Sequence, residues 1–397
     1  MEPLHEYLVG ALKSGLTGAA YALPPAEQMG PLVKLAARHH IESILYQALF
    51  LGGCPPTDEW MGRMFLQVAR NISVSETQMM ELEAVCKRFQ EQGIDYMPLK
   101  GAMLRRLYPS PDMRKMGDAD ILLRLEQYDQ VVPLMEALGY TFKGESDHEW
   151  IWVKPDGLYL ELHKRLIPSY NTDYYAYFGE GWERAVPVED TPHAYRLPLV
   201  EEYIYLFTHF AKHYRDGGVG IKQVADLWLY RQANPALDDR AVALELDKLQ
   251  LTEFHRHFVD MLQVWFHDGA PTEQTRLMTR FICDSGAFGT KENRITAEGL
   301  REARSGSEAE QVRGRKLRLA LFPPRQTLAA SWPILNKVPI LLPVVWVARG
   351  LRAVFFRRKG MVARLESVNN MTADRIETYG DALRFVGLDF HLTEDEA

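Results

Sequence analysis

The chain of 397 residues has little of several features that would assign it to a special class. Its three cysteines, Cys54, Cys86 and Cys283, lie far apart without metal-ligand spacing. The sequence therefore predicts neither a disulfide framework nor a zinc ribbon. The first residues lack the basic and then apolar order of a signal peptide, so we expect a cytoplasmic protein. Internal repeats and low-complexity tracts are missing as well.

Long hydrophobic runs and an excess of positive charge are also absent. The most apolar late stretch, residues 338–348, contains two prolines and falls short of the roughly 20 residues that span a bilayer. The net charge of -7 argues against a general nucleic-acid binder. With 47% hydrophobic and 25% charged residues, the composition is that of a globular protein long enough for two or three domains.

Two aspartates are the most informative feature that is present. Asp118 and Asp120 flank Ala119 and precede an apolar run. In a strand they point to one face, while Ala119 and Ile121 point into the protein. Two acids on one face repel each other, and a divalent cation held by carboxylates and substrate phosphates relieves that repulsion. An isolated pair of this kind is more often an Asp-rich turn, so the neighbouring motifs decide between the two interpretations.

The neighbouring motifs add a glycine turn and a third acid. Residues 96–104 predict a short strand that runs into a helix with Gly101 at the junction. The amides that open the helix form a phosphate site, and Lys100 adds a cation. Downstream, residues 158–163 alternate with period two, which places Glu161 and His163 on one face. Glu161 is therefore either a third site carboxylate or a solvent-facing residue of a half-exposed sheet.

Taken together, the motifs resemble the nucleotidyltransferase superfamily related to DNA polymerase beta. More closely, they are similar to a bacterial family of uncharacterised nucleotidyltransferases. The motifs that carry this resemblance are Leu99-Lys100-Gly101, Arg114, Asp118-Ala119-Asp120 and Leu160-Glu161-Leu162-His163. The chain departs from the superfamily at Ala102, where a serine is common. Lys100 and the backbone amides would therefore make the phosphate contacts here.

The resemblance implies a fold and a set of site residues. The expected fold class is α+β, with a small mixed β-sheet nucleotidyltransferase core flanked by N-terminal and C-terminal helical regions. Catalysis and the binding of two Mg²⁺ ions, or Mn²⁺, would fall to Asp118, Asp120 and Glu161. The residues expected to bind the nucleoside triphosphate are Lys100, Gly101, Ala102, Arg114, His209, His213, Lys222 and Asp226.

Two of these expected nucleotide-binding residues, His209 and His213, have a second interpretation. They lie four apart on a predicted helix and so share one face. A zinc site is disfavoured because no third ligand accompanies them. The resemblance gives them a substrate-side role beside Asp226, and a structural role as partly buried histidines is equally compatible with the sequence.

The pattern divides the chain into four regions. These are an N-terminal helical region (1–95), the catalytic core (96–190), a helical substrate-side domain (191–310) and a basic apolar arm (311–397). Residues 313–364 contain twelve Lys and Arg and no Asp or Glu. Such a segment favours an acidic partner: the acidic remainder of the chain, an anionic membrane surface contacted peripherally, or nucleic acid.

The function expected from these observations is Mg²⁺-dependent transfer of a nucleoside monophosphate from a nucleoside triphosphate to an unidentified acceptor hydroxyl, with release of pyrophosphate. A tRNA end is one acceptor among several. The alternative is a non-catalytic nucleotide-binding regulatory module on the same fold, although three mutually repelling acids argue against it. A glycosyltransferase would require a larger Rossmann-like domain ahead of the aspartates, and the helical N-terminal region does not offer one.

Overall fold

The computed structural model describes residues 2–155, 158–304, 338–348 and 372–389, together with single positions between 318 and 334. Two compact units are formed. The first comprises Met1–Lys212 and Val219–Phe288, and the second comprises His213–Gly218 and Gly289–Ala397. The predicted basic segment 313–364 lies largely outside the described residues, so its docking partner stays a prediction.

The chain begins with four helices, as the sequence predicts for residues 1–95. The fourth is the longest, and the Asp58 carboxylate caps it by accepting hydrogen bonds from the amides of Trp60 and Met61. Its buried side chains Val85 and Phe89 belong to the core beneath the sheet. The helices are α1 (Pro3–Thr17), α2 (Ala26–His39), α3 (Glu42–Leu51) and α4 (Glu59–Glu91).

A five-stranded mixed sheet follows, with two helices inserted between its strands. The strand order is β1-β2-β5-β4-β3; β2 and β5 pair in parallel, and the other neighbours are antiparallel. The expected α+β class with a small mixed sheet is confirmed. The elements are β1 (Tyr96–Leu99), α5 (Gly101–Leu104), β2 (Ala119–Leu123), α6 (Tyr128–Ala137), β3 (Thr141–Glu145), β4 (Glu149–Val153) and β5 (Tyr159–His163).

The two faces of the sheet differ in chemistry because side chains alternate along each strand. Ala119, Ile121 and Leu160 are fully buried in a core that also contains residues of α4 and α6. The predicted inward direction of Ala119 and Ile121 is confirmed. Asp120 and Glu161 alternate with these residues and therefore lie on the opposite face, which we call the acid face.

The rest of the described chain is mainly helical. Its two short strands form a separate ribbon, and the helix predicted over residues 202–214 is confirmed with slightly wider limits. Among the described residues, no helix combines the length and hydrophobicity needed to cross a membrane. The elements are α7 (Thr172–Phe178), β6 (Val186–Pro187), β7 (Tyr195–Arg196), α8 (Leu199–Arg215), α9 (Ile221–Ala233), α10 (Asp239–Lys248), α11 (Thr252–Phe266), α12 (Glu273–Ser285), α13 (Lys291–Arg304) and α14 (Ala373–Phe385).

Candidate functional site

The parallel pairing of β2 and β5 brings the predicted acids together. Asp120 lies directly opposite Glu161 in the register, and Leu122 lies opposite His163. One ligand atom from each of Asp120, Glu161 and His163 falls within 4.8 Å of the other two. Asp118 is half-buried immediately before β2. Two acids distant in sequence are thus neighbours on adjacent strands.

Asp120 is the most enclosed of the acids and already has two partners. Its Oδ1 atom lies 2.8 Å from Lys100 Nζ and 2.8 Å from His163 Nε2. The Asp120 and Lys100 side chains are 8% and 16% exposed. Burial would raise the pKa of Asp120, but the Lys100 ammonium and the His163 hydrogen bond hold it well below its ordinary value. Asp120 is therefore a carboxylate at any physiological pH.

Glu161 and Asp118 respond to the same surroundings in the opposite direction. Burial, together with the negative charges of Asp120 and Asp118, raises the pKa of Glu161 to about 8. The pKa of Asp118 is also raised, first by burial and then by Asp120, although Lys100 and Lys222 oppose the shift. The acid face thus holds more carboxylates than its two lysines neutralise.

A second lysine, Lys222 of α9, contributes positive charge near these acids. It is 9% exposed, and its Nζ atom donates to the Lys115 carbonyl at 3.3 Å. Burial and the Arg114 guanidinium lower the pKa of Lys222 to about 8, against the attraction of Asp226, Asp118 and Asp120. The sequence predicted that Lys100 and Lys222 belong to one site. The positive charges of both lysines lower the pKa of Asp118.

The glycine turn has a different local structure from the one expected for close backbone contact with a ligand. Lys100 has φ 47°, a left-handed conformation that is costly for a residue with a side chain. A Cβ atom at Gly101 would lie 2.5 Å from Arg114 Nη1. The glycine therefore gives room to the Arg114 guanidinium, while the strained backbone of Lys100 accompanies the contact of its ammonium with Asp120.

Arg114 and Asp226 form a buried ion pair. Arg114 donates from Nε to Asp226 Oδ1 at 2.8 Å and from Nη2 to Oδ2 at 2.7 Å. The Tyr108 hydroxyl donates to Asp226 Oδ1 at 2.8 Å. Both charged side chains are less than 10% exposed. Two predicted nucleotide-binding residues thus bind each other, and together they connect α9 to the segment that follows α5.

The remaining predicted residues have less defined positions in the site. Ala102 is buried in α5, beside the strained turn. His209 and His213 are half-buried on α8. Their assignment to the nucleotide stays a prediction.

The structure adds residues that the sequence did not select. His163 was part of the strand motif, and its Nε2 atom contacts Asp120. Glu149 lies opposite His163 in the β4–β5 register, and its charge contributes to the raised pKa of Glu161. Tyr205 of α8 is buried, and its phenol interacts electrostatically with Lys100. Glu149 could have been predicted as an acid-face residue because it alternates with the apolar Trp150 and Trp152. No sequence pattern around Tyr205 indicates that it lies near Lys100.

The donor set fits a divalent cation. Carboxylates suit Mg²⁺ and Mn²⁺, whereas an imidazole is a ligand typical of Zn²⁺ and Fe²⁺. His163 Nδ1 lies 3.3 Å from the Arg165 carbonyl, so both ring nitrogens face an acceptor. Burial and Lys100 lower the pKa of His163, which favours the neutral ring. A neutral imidazole donates from one nitrogen and keeps a lone pair on the other for a metal.

The fold and the site define a mixed α+β protein whose central strands present clustered acids on one face, near the buried Lys100 and Lys222. The model of a family described as uncharacterised nucleotidyltransferase matches residues 25–267, more than half of the chain. The chain belongs to this nucleotidyltransferase family. No curated protein and no solved structure matches it. The match includes the acid face and α9.

Proposed function

We propose that this chain is a Mg²⁺-dependent nucleotidyltransferase that moves a nucleoside monophosphate from a nucleoside triphosphate to an acceptor hydroxyl. The observation that carries the proposal is the adjacency of Asp120 and Glu161 on parallel strands, with Asp118 beside them. The raised pKa of Glu161 reflects burial and then the negative charges of Asp120 and Asp118, and a bound cation would offset those charges. The glycine turn and the acid pattern support an origin in the superfamily related to DNA polymerase beta.

Asp118, Asp120 and Glu161 would hold the metal, and His163 is a further ligand candidate for the same position. When bound, divalent cations stabilise the negative charge of the triphosphate and lower the pKa of the acceptor hydroxyl. Lys222, with its pKa near 8, and Lys100 would bind phosphate oxygens from the α9 and α5 sides. The Arg114–Asp226 pair would hold the turn that carries Lys100.

In the proposed reaction the acceptor oxygen forms a bond to the α-phosphorus, and the bond between that phosphorus and the β-phosphate bridging oxygen breaks. Pyrophosphate leaves with the electron pair of the broken bond. The hydroxyl proton passes to the Glu161 carboxylate, which lies opposite Asp120 on the neighbouring strand.

The experiment that tests this function is label transfer. Purified protein is incubated with each α-labelled nucleoside triphosphate, Mg²⁺ and a cell lysate, and the labelled product is isolated. We expect one triphosphate to label one class of acceptor with release of pyrophosphate. Nucleotidyl transfer would be contradicted if the label stays in the triphosphate for every donor and every class of acceptor.

A non-catalytic nucleotide-binding module is the second candidate, and one observation favours it. The Lys100 ammonium neutralises Asp120 directly, so part of the acid charge is balanced by the protein itself. A module predicts that calorimetry detects nucleotide binding with similar affinity in Mg²⁺ and in EDTA. The enzyme predicts tighter binding in Mg²⁺, together with turnover in a pyrophosphate-release assay.

A further inference from the structure

A cavity lies on the face of the sheet away from the acids. Its volume is about 470 Å³, within the range of pockets that enclose small organic ligands. Tyr96 and Pro98 of β1 contribute to its wall. These two residues alternate along the strand with Leu99, which pairs with Asp120. The cavity is therefore separate from the acid face, and we call it the rear pocket.

The rear pocket is basic although the chain as a whole is acidic. Four cationic side chains line it: Lys87 of α4, Arg105 and Arg106 after α5, and Arg196 of β7. Glu83 is the one acid among its lining residues, and it pairs with Arg106 at 3.1 Å. The other three cations have no carboxylate partner within the lining, although Glu76 and Asp112 attract Arg105 from outside it.

Arg105 is the buried member of this basic set. Its side chain is fully enclosed, and Nη2 donates to Ser75 Oγ at 2.9 Å. Nε and Nη1 are buried without a hydrogen-bond partner within the described structure. Both nitrogens have almost no accessible surface, so a ligand in the pocket meets the positive charge of Arg105 through the wall and not by a direct hydrogen bond.

The rest of the lining is mainly apolar, with Gln90 and Thr191 as its uncharged polar members. It includes methionine, leucine and aromatic side chains, which favour a flat or flexible hydrocarbon body. The residues concerned are Met79, Leu82, Met103, Tyr96 and Tyr195. A ligand that fits this wall and the guanidinium groups has an apolar body and an anionic head.

We propose that the rear pocket binds a small amphipathic organic anion: an aromatic or short aliphatic body that carries one carboxylate, sulfonate or phosphate. The head lies toward the exposed cations Lys87 and Arg196, and the body lies between α4 and β1. This inference is independent of the chemistry on the acid face. The segment from Lys100 to Arg106 contributes to both sites.

The test uses the fluorescent probe 8-anilinonaphthalene-1-sulfonate on the full chain, with its uncharged counterpart N-phenyl-1-naphthylamine as the matched ligand. We expect saturable binding of the sulfonate to one site and weaker binding of the neutral probe by roughly tenfold or more. Lys87→Gln and Arg196→Gln change exposed side chains of the lining. Each variant should lower the affinity for the sulfonate roughly three- to tenfold and leave the affinity for the neutral probe unchanged.

The matched control is Arg88→Gln, which removes an exposed cation next to Lys87 on α4 that is paired with Glu91 and does not line the pocket. It should leave the affinity for both probes unchanged. Equal affinity for the two probes would show an apolar crevice without anion recognition and overturn the proposal. The same conclusion follows if Lys87→Gln, Arg196→Gln and Arg88→Gln behave alike. Circular dichroism of each variant establishes that the fold is retained.

Discussion

Among single residues, Asp118 gives the cleanest test of the acid face. Asp118→Asn keeps the size of the side chain but removes the charge that a cation requires, and Asp118 is less enclosed than Asp120. We expect turnover to fall by several orders of magnitude while folding survives, as a pyrophosphate-release assay would measure. Asp129→Asn on an exposed position of α6 is the matched control and should keep full activity. Full activity in Asp118→Asn would remove the proposed mechanism.

Asp120 carries the same expectation with an additional structural cost. Asp120→Asn removes the carboxylate that Lys100 and His163 contact at 2.8 Å. The sequence predicts lost turnover with retained folding for this variant as well. The buried Lys100 would lose its charged partner, so the stability of Asp120→Asn should fall more than that of Asp118→Asn.

In the proposed site, Lys100 would compete with a bound metal for Asp120. Its Nζ atom lies 2.8 Å from Asp120 Oδ1, so Lys100→Met removes a positive charge and leaves His163 as the hydrogen-bond partner of that oxygen. We expect Mn²⁺ to bind several-fold more tightly to the variant without nucleotide, because the cation meets less repulsion. Calorimetric titration with Mn²⁺ measures this affinity. Unchanged or weaker Mn²⁺ binding would show that Asp120 is not a metal ligand.

Glu161 makes the stability of the protein depend on pH. Its pKa in the folded chain is about 8, above its ordinary value of 4.5. Between these values the folded state binds more protons than the unfolded state, so stability falls as pH rises through this window. Glu161→Gln removes the effect, and we expect its free energy of unfolding to gain on the order of 3 kcal/mol relative to the parent at pH 8 compared with pH 5.

Urea unfolding in EDTA at a series of pH values measures this difference. EDTA is required because a bound cation would keep Glu161 ionised and hide its proton uptake. Parallel stability curves for the parent and Glu161→Gln across the window would contradict the raised pKa. The matched variant Glu126→Gln, at an exposed position before α6, should follow the parent curve.

At the level of secondary-structure elements, α9 is tied to the segment after α5 by Arg114 and Asp226. The pair is buried and bidentate, so loss of one partner leaves an uncompensated charge. We expect Asp226→Ala to destabilise the protein by about 3–5 kcal/mol. The double variant Arg114→Met with Asp226→Leu should lose less stability than the two single variants lose together, because it leaves no unpaired buried charge.

Unfolding free energies from urea titration test this coupling. Asp239→Ala is the matched control because it breaks an ion pair with Arg231 in which Asp239 is 74% exposed. That change should cost less than about 1 kcal/mol. Additive losses from Arg114→Met and Asp226→Leu would mean that the two residues do not act as a pair.

The elements themselves were largely predictable from the sequence. Local signals predict three of them. Helical periodicity and a capping residue mark the long helix α4, a glycine marks the turn from β1 into α5, and period-two alternation marks the strand β5. The sequence predicts the fourth strand over residues 150–153, and in the structure β4 begins one residue earlier, at Glu149 of the acid face. The ends of strands are hard to predict from local sequence, because the hydrogen-bonded neighbour strand decides where a strand ends more than β-propensity does.

For the molecule as a whole, the cysteines report whether the fold is intact. Cys54 and Cys283 are buried, Cys86 is half-buried, and all three are free. Burial raises the pKa of Cys86 to about 12, so its thiol reacts slowly. We expect a thiol reagent to modify at most Cys86 in the native protein and all three cysteines in guanidinium chloride. Rapid modification of Cys54 or Cys283 without denaturant would contradict the described packing.

The order of residues along the chain was sufficient for the helical and strand segments, the mixed α+β class and the membership of Asp118, Asp120 and Glu161 in one candidate site. These follow from side-chain periodicity and from a resemblance carried by short motifs. The contacts of Lys100 with Asp120, of Arg114 with Asp226 across 112 positions, and the rear pocket arose only in three dimensions. Strand register and helix packing set those distances, and no local period encodes which distant side chains they bring together.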